Sequence, residues 1–217
     1  MRYLFVLILS AGTVLATAQT SLNDFQKISV SGNVKLILKQ GNSPSYTASG
    51  NTSELKVRVE QGKLKITNNK VFKDWDKPVV VEVTYTSIRA LYASAGAQVQ
   101  NEGTLNVGDF ELSVDTGANG DLLIDAQSLD ARVGEGGVLR LEGSGRVLEA
   151  SSTTGGVLKA RDFIAHTVYV KANTGAMASV HASESIEANA SMGGSITYSG
   201  NPQNVKSKES LGGSIRG

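Results

Sequence analysis

The chain has 217 residues, 21 Lys+Arg against 20 Asp+Glu, 24 glycines, three prolines, 6% aromatic residues and no cysteine. The missing cysteine excludes disulfides, thiolate metal sites, cysteine nucleophiles and lipid on an N-terminal cysteine; the balanced charge makes nucleic acid and anionic membranes poor partners. Many glycines beside few prolines point to many tight turns in a regular architecture.

Residues 1–18 read as a removable export signal: Arg2 is the positive start, an apolar run extends from Tyr3 to about Leu15, and Ala16-Thr17-Ala18 is an A-x-A cleavage site. The apolar run is shorter than the roughly 20 residues a spanning helix needs. Cleavage leaves a mature chain from Gln19 that is long enough for one domain with its own core. No later segment is apolar enough to span, so no membrane span is expected after cleavage. A signal of this kind specifies export alone, to the cell surface, the periplasm or the medium.

From Phe25 the pattern is strand-like. Ile28 and Val30, then Val34, Leu36 and Leu38, alternate with polar residues, as do Lys56–Glu60 and Lys63–Thr67. Gln61-Gly62 between the latter two signals a hairpin. Asn68 to Lys77 reads as a polar loop holding the only tryptophan, Trp75, and Val79 to Tyr85 as a further strand. Residues 19–88 thus form an N-terminal β-strand region.

Residues 89–217 are periodic. A glycine followed by Gly or Ala recurs at Gly96, Gly117, Gly136, Gly155, Gly175, Gly193 and Gly212, in steps of 21, 19, 19, 20, 18 and 19. Seven residues before the glycine stand Phe110, Leu129, Leu148, Val168, Ile186 and Val205, all apolar. Three after it stand Val99, Gly120, Leu139, Leu158, Ala178, Ile196 and Ile215. Each unit holds short strands of period two joined by turns. One such unit cannot bury its apolar side, but stacked units can, each position lying on its equivalent at about 4.8 Å. The expected fold is all-β: a right-handed parallel β-helix, a solenoid of about 19-residue coils, within a single domain over 19–217. The last residues, Leu211 to Gly217, read as a started coil with an open strand edge.

The order of these motifs resembles the bacterial head-GIN domain family, described as putative auto-transporter adhesins and common in Bacteroidetes. The residues that carry it begin with Phe25 to Gly32, Val34-Lys35-Leu36 and Gln40-Gly41. Leu64-Lys65-Ile66 and Val79–Tyr85 follow, then Ile88-Arg89-Ala90-Leu91 leading into Ser94-Ala95-Gly96-Ala97. Tyr198-Ser199-Gly200-Asn201-Pro202 and Leu211 to Ile215 close the series. The resemblance covers nearly the whole mature chain. It implies an exported β-helical protein with an adhesive or envelope role, and it brings no catalytic residues. Several turns here read T-G-G or T-G-A where the family has S-G-A-G.

Four sets of side chains invite a chemical reading. His166 and His181 lie in different coils at different phases, with no carboxylate orienting either, and read as structural or exposed. Glu111, Asp130, Glu149, Tyr169, Glu187 and Lys206 form one outward column; Ser113, Arg132, Ser151, Lys171, Asn189 and Lys208 form its neighbour. Such columns make a surface ion-pair ladder rather than a calcium site, since the glycine-aspartate nonapeptide is missing. Thr116, Thr154 and Thr174, with Ser151, Ser152 and Thr153, form a hydroxyl row that either satisfies turn backbone or meets sugar. Asn119-Gly120-Asp121 reads as an aspartate-bearing turn.

No residue is therefore assigned a catalytic, cofactor-binding or metal-binding role, no cofactor is expected, and the ligand-binding residues are unknown. The expected function is that of an exported, non-enzymatic surface or envelope protein. It would bind glycans or surface proteins through the β-helix faces and is not expected to bind nucleic acid. The alternative is an envelope scaffold that self-associates through an open edge or flat face. A polysaccharide-active enzyme is the weaker reading, because coils of 18 to 21 residues leave little loop to wall a cleft.

Overall fold

The computed structural model describes residues 19–68 and 77–217. Residues 1–18, where the sequence leads one to expect an export signal, and most of the loop around Trp75 lie outside the described residues. No helix among the described residues is long and apolar enough to cross a membrane.

The first nine strands are β1 (Thr20–Ser21), β2 (Lys27–Gly32), β3 (Val34–Gln40), β4 (Ser45–Ser49), β5 (Leu55–Glu60), β6 (Lys63–Asn68), β7 (Val79–Tyr85), β8 (Ala90–Ser94) and β9 (Gln98–Glu102). The repeat then supplies β10 (Leu105–Val114), β11 (Asn119–Val133), β12 (Val138–Ser152), β13 (Val157–Ala172), β14 (Met177–Ala190), β15 (Ser195–Ser199), β16 (Asn204–Glu209) and β17 (Ser214–Arg216). They form a β-solenoid with a period of about 19 residues, as the sequence spacing requires.

Three ladders of parallel strands make three faces. On the first, β6, β2, β8, the end of β10, then β11 to β14 and β16 follow one another. On the second, β7, β3 and β9 lead into the starts of β11 to β14, then β15 and β17. The third is shorter and begins where Leu105–Val107 pair with Ile124–Ala126. The long strands β11 to β14 bend across all three.

The stack does not follow chain order at its N-terminal end. The β6–β7 coil lies outermost, β2–β3 sits above it, and β8–β9 sits above that. The chain therefore makes its second coil beneath its first and then returns over the top. The outermost coil is closed by antiparallel strands: β5 against β6 on one face, and β4, with β1 beyond it, against β7 on another. These strands cover edges that would otherwise offer free N–H and C=O groups to another chain.

The marking glycines are the second residue of two-residue turns. All seven have φ between 69 and 79°, and the residues before them, Ala95, Thr116, Glu135, Thr154, Thr174, Met192 and Leu211, have φ between 47 and 53°. The turn closes by a hydrogen bond such as Gly137 N–H to Gly134 C=O at 2.8 Å. Turns of this kind need positive φ at both central residues, which glycine supplies and a β-branched threonine resists. The strain is offset between coils: Gly117 N–H donates to Glu135 C=O, and Gly136 N–H to Thr154 C=O, up the whole corner. The residue after the marking glycine points inward. It is a fully buried Ala at 97, 118 and 176; at Gly137, Gly156, Gly194 and Gly213 an added Cβ would fall 2.1–2.6 Å from a backbone carbonyl oxygen.

One core runs through the molecule, from Ile28, Leu36 and Leu64 to Leu129, Leu148, Phe163 and Ile186. The expected inward columns are buried until the last coil, where Val205 is exposed. The 20-residue step is a bulge between Arg140 and Glu142 of β12 and their partners in β13. Phe163 pairs there with Gly143, and its ring fills the room that Gly145 leaves.

Candidate binding surface

Because every core side chain points inward, the chemistry of this chain lies on its outward columns. On the first face Glu111, Asp130 and Glu149 stand on adjacent rungs, as do Ser113, Arg132 and Ser151. Arg132 bonds Glu111 at 3.1 Å and also bonds Asp130, and the Tyr92 hydroxyl donates to Glu111 at 2.8 Å. Burial raises the Asp130 carboxyl above its ordinary pKa; Arg132 opposes this, while Glu149 and Glu111 add to it. Burial and the hydrogen bond to Glu111 push the Tyr92 phenol up. The ion-pair ladder thus exists over two rungs. Among the described residues, Glu149, Lys171, Glu187, Lys206 and Lys208 do not extend it.

Three sequence expectations change. His166 does have an orienting carboxylate: its Nδ1 lies 2.9 Å from Glu184 Oε1, both side chains largely exposed. The register shifts of β13 against β14 bring together residues whose phases differ in sequence. Ser152 does not join a surface hydroxyl row, since it is fully buried and points into the core. Asn119-Gly120-Asp121 is the start of β11 and not a turn, because the turn is already closed at Ala118 by its bond to Asp115. Of the threonines, Thr116 donates to Glu135 on the next coil at 2.8 Å. His181 lies 3.3 Å from the Ser199 hydroxyl and is paired in register with Ile164, not with His166.

Two shallow clefts concentrate polar groups. One, of about 740 Å³, lies on the third face among Asp125, Ser144, Arg146, Ile164 and His166. There Asp125 is occupied by the Ser144 N–H and hydroxyl of the next coil. The other, of about 780 Å³, lies at the N-terminal end of the first face and is lined by Lys27, Glu60, Gln61, Lys63, Lys65 and Arg89. Glu60 is shared there by Arg58 at 3.0 Å and Lys65 at 2.6 Å, and the hydrogen bond from Lys65 leads in holding its carboxyl below the usual value. The alternation of Lys63 and Lys65 along one strand was visible in sequence; their proximity to Lys27 and Arg89 was not, because the stack departs from chain order. No group of three or more His, Asp or Glu among the described residues is placed to hold a metal ion.

Residues 24–202 match the family described as "Putative auto-transporter adhesin, head GIN domain". The chain belongs to this family. Its head-GIN fold is shared by solved structures of low identity. An adhesin described as putative from Bacteroides fragilis has 19% identity and a TM-score of 0.83, covering 92% of this chain and 94% of that one. A second from Parabacteroides distasonis has 18% identity and a TM-score of 0.74 over the same shares. A protein described as a putative lipid binding protein, also from Parabacteroides distasonis, has 17% identity and a TM-score of 0.62, covering 92% and 95%. No curated protein matches the chain.

Proposed function

We propose that this head-GIN protein is an exported, non-enzymatic adhesin of the cell surface or envelope that binds glycans or other macromolecules on its solenoid faces. One observation carries the reading: on the first face the outward columns keep register from rung to rung through β10 to β14. Regular ladders of this kind offer a broad surface with a repeat near 4.8 Å, suited to an extended partner. The signal-like pattern of residues 1–18 and the family support the same reading. The test is accessibility of the tagged protein on intact cells to protease or a non-permeant antibody, with lysed cells as control. Labelling of intact cells is the expected result; protection until lysis would sink the adhesin.

A second reading, a self-assembling envelope scaffold, is favoured by one apolar corner. Met192 and Leu211 are adjacent turn tips and are 53% and 78% exposed, and Met177 beside this corner is 53% exposed. Sedimentation of the mature protein separates the two. A monomer fits the adhesin, whereas association lost in Met192→Lys and Leu211→Lys fits the scaffold.

A further inference from the structure

We propose that the cleft on the N-terminal coils binds the carboxylate or sulfate groups of an acidic polysaccharide. The inference rests on the surface-binding reading above and names the partner's chemistry and the residues that meet it.

Chain topology assembles the cleft. Lys27 of β2 lies directly beside Lys63 of β6, although the two are 36 residues apart in sequence. Arg89 immediately precedes β8, the other neighbour of β2, and its N–H is tied to Gln26 C=O at 2.8 Å. Three adjacent rungs thus bring three cationic side chains within about 10 Å along the stack. The carboxylates nearby are already engaged: Glu60 holds Arg58 and Lys65, and Glu111 holds Tyr92 and Arg132. Among the described residues Lys27, Lys63 and Arg89 have no carboxylate partner. Lys63 is positioned instead by the ring of Tyr92, its Nζ 4.4 Å from the ring centroid. That contact holds the ammonium on the ring face, while Glu60, directly opposite Lys63 on β5, is taken up by Arg58 and Lys65.

The surface beside the cations favours sugar. Ser29 and Ser31 of β2, Thr67 of β6 and Ser94 of β8 continue outward on the same three rungs, all half-buried. Hydroxyls arrayed at strand spacing next to unpaired cations match an acidic sugar, which presents anionic groups beside hydroxyls. A nucleic acid would need a longer basic track, and here the track ends at the acidic Glu111 and Asp130.

The experiment uses the mature chain, purified, with three probes: a polyuronate, dextran sulfate and neutral dextran. Binding is followed by affinity electrophoresis and calorimetry. The acidic polymers should bind and neutral dextran should not. Lys27→Gln combined with Lys63→Gln should weaken binding at least about tenfold, and the salt dependence should become shallower. Lys27→Arg with Lys63→Arg should keep it. Arg140→Gln with Lys159→Gln, cations of the second face, should leave it unchanged. Matching thermal midpoints establish that the variants are folded. Equal binding of neutral dextran, retained binding in the Lys27→Gln/Lys63→Gln protein, or equal loss in the second-face variant would each overturn the cleft. Inorganic sulfate at the same anion concentration is a further arm: if it displaces the polymer completely, the site holds single anions and not a glycan. Because the protein is purified, this outcome is separate from cell-surface accessibility; either result can fail while the other stands.

Discussion

Ser152 shows how a residue that looks functional in sequence can be a cost in structure. It sits in a run of hydroxyls, Ser151 to Thr154, that reads as a polar surface. Strand alternation places it in an inward column with Val133 and Ala172 as its neighbours. It is fully buried and its hydroxyl has no hydrogen-bond partner. A buried hydroxyl without a partner costs about 1–3 kcal/mol. Alanine fits the same column, as Ala172 and Ala190 on the next two rungs demonstrate. Ser152→Ala should therefore stabilise the protein by about 1 kcal/mol, read as a higher urea midpoint at unchanged slope. A lower midpoint would mean that the hydroxyl has a partner such as ordered water.

The turn is the element that sets the coil, and the residue after its marking glycine fixes how closely coils approach. Ala176 is buried at this position, whereas Gly194, the equivalent one coil on, has Ala172 C=O where a Cβ would stand, at 2.1 Å. The obstacle is backbone, so it cannot rotate aside. Gly194→Ala should destabilise by about 2–3 kcal/mol through overpacking against backbone, more than Ala176→Gly, which should cost about 1 kcal/mol through a lost methyl and a looser chain. Equal midpoints for both variants in chemical denaturation would sink the argument that contact at this corner, rather than turn propensity, separates the two residues. The distinction explains why the signature in sequence is Gly-Gly or Gly-Ala. The period, the turn and the inward columns from Phe110 to Ile186 were legible because each recurs, and recurrence needs no knowledge of partners. The N-terminal stack was not: nothing local to Lys27 or Lys63 says that β2 is to lie between β6 and β8. Nor could the bulges of β13, which put Glu184 on His166, be read from a period that they interrupt.

At the scale of the molecule, near-neutral net charge conceals an uneven distribution along the stack. The first face begins with Lys27, Lys63 and Lys65, becomes acidic at Glu111, Asp130 and Glu149, and ends with Lys206 and Lys208. Acid should act on this pattern in two opposed ways. Glu60 has a lowered pKa through Lys65 and Arg58, so its contribution is present above the ordinary carboxylate value and is lost as pH falls through its folded pKa. Asp130 is the reverse. Burial raises its folded pKa, so the folded state takes up a proton before the unfolded chain does. Stability from this group therefore rises as pH falls through the raised value toward the ordinary one of 3.8. Asp130→Asn removes that gain, and its loss of stability between about pH 7 and about pH 4 should exceed the wild type's. Glu60→Gln should lose less than the wild type over the same interval. Urea midpoints at a series of pH values measure both. A smaller acid loss in Asp130→Asn would mean that Arg132, and not burial, governs Asp130, and the acidic stretch of the first face would then be a set of satisfied pairs instead of a surface held at a cost.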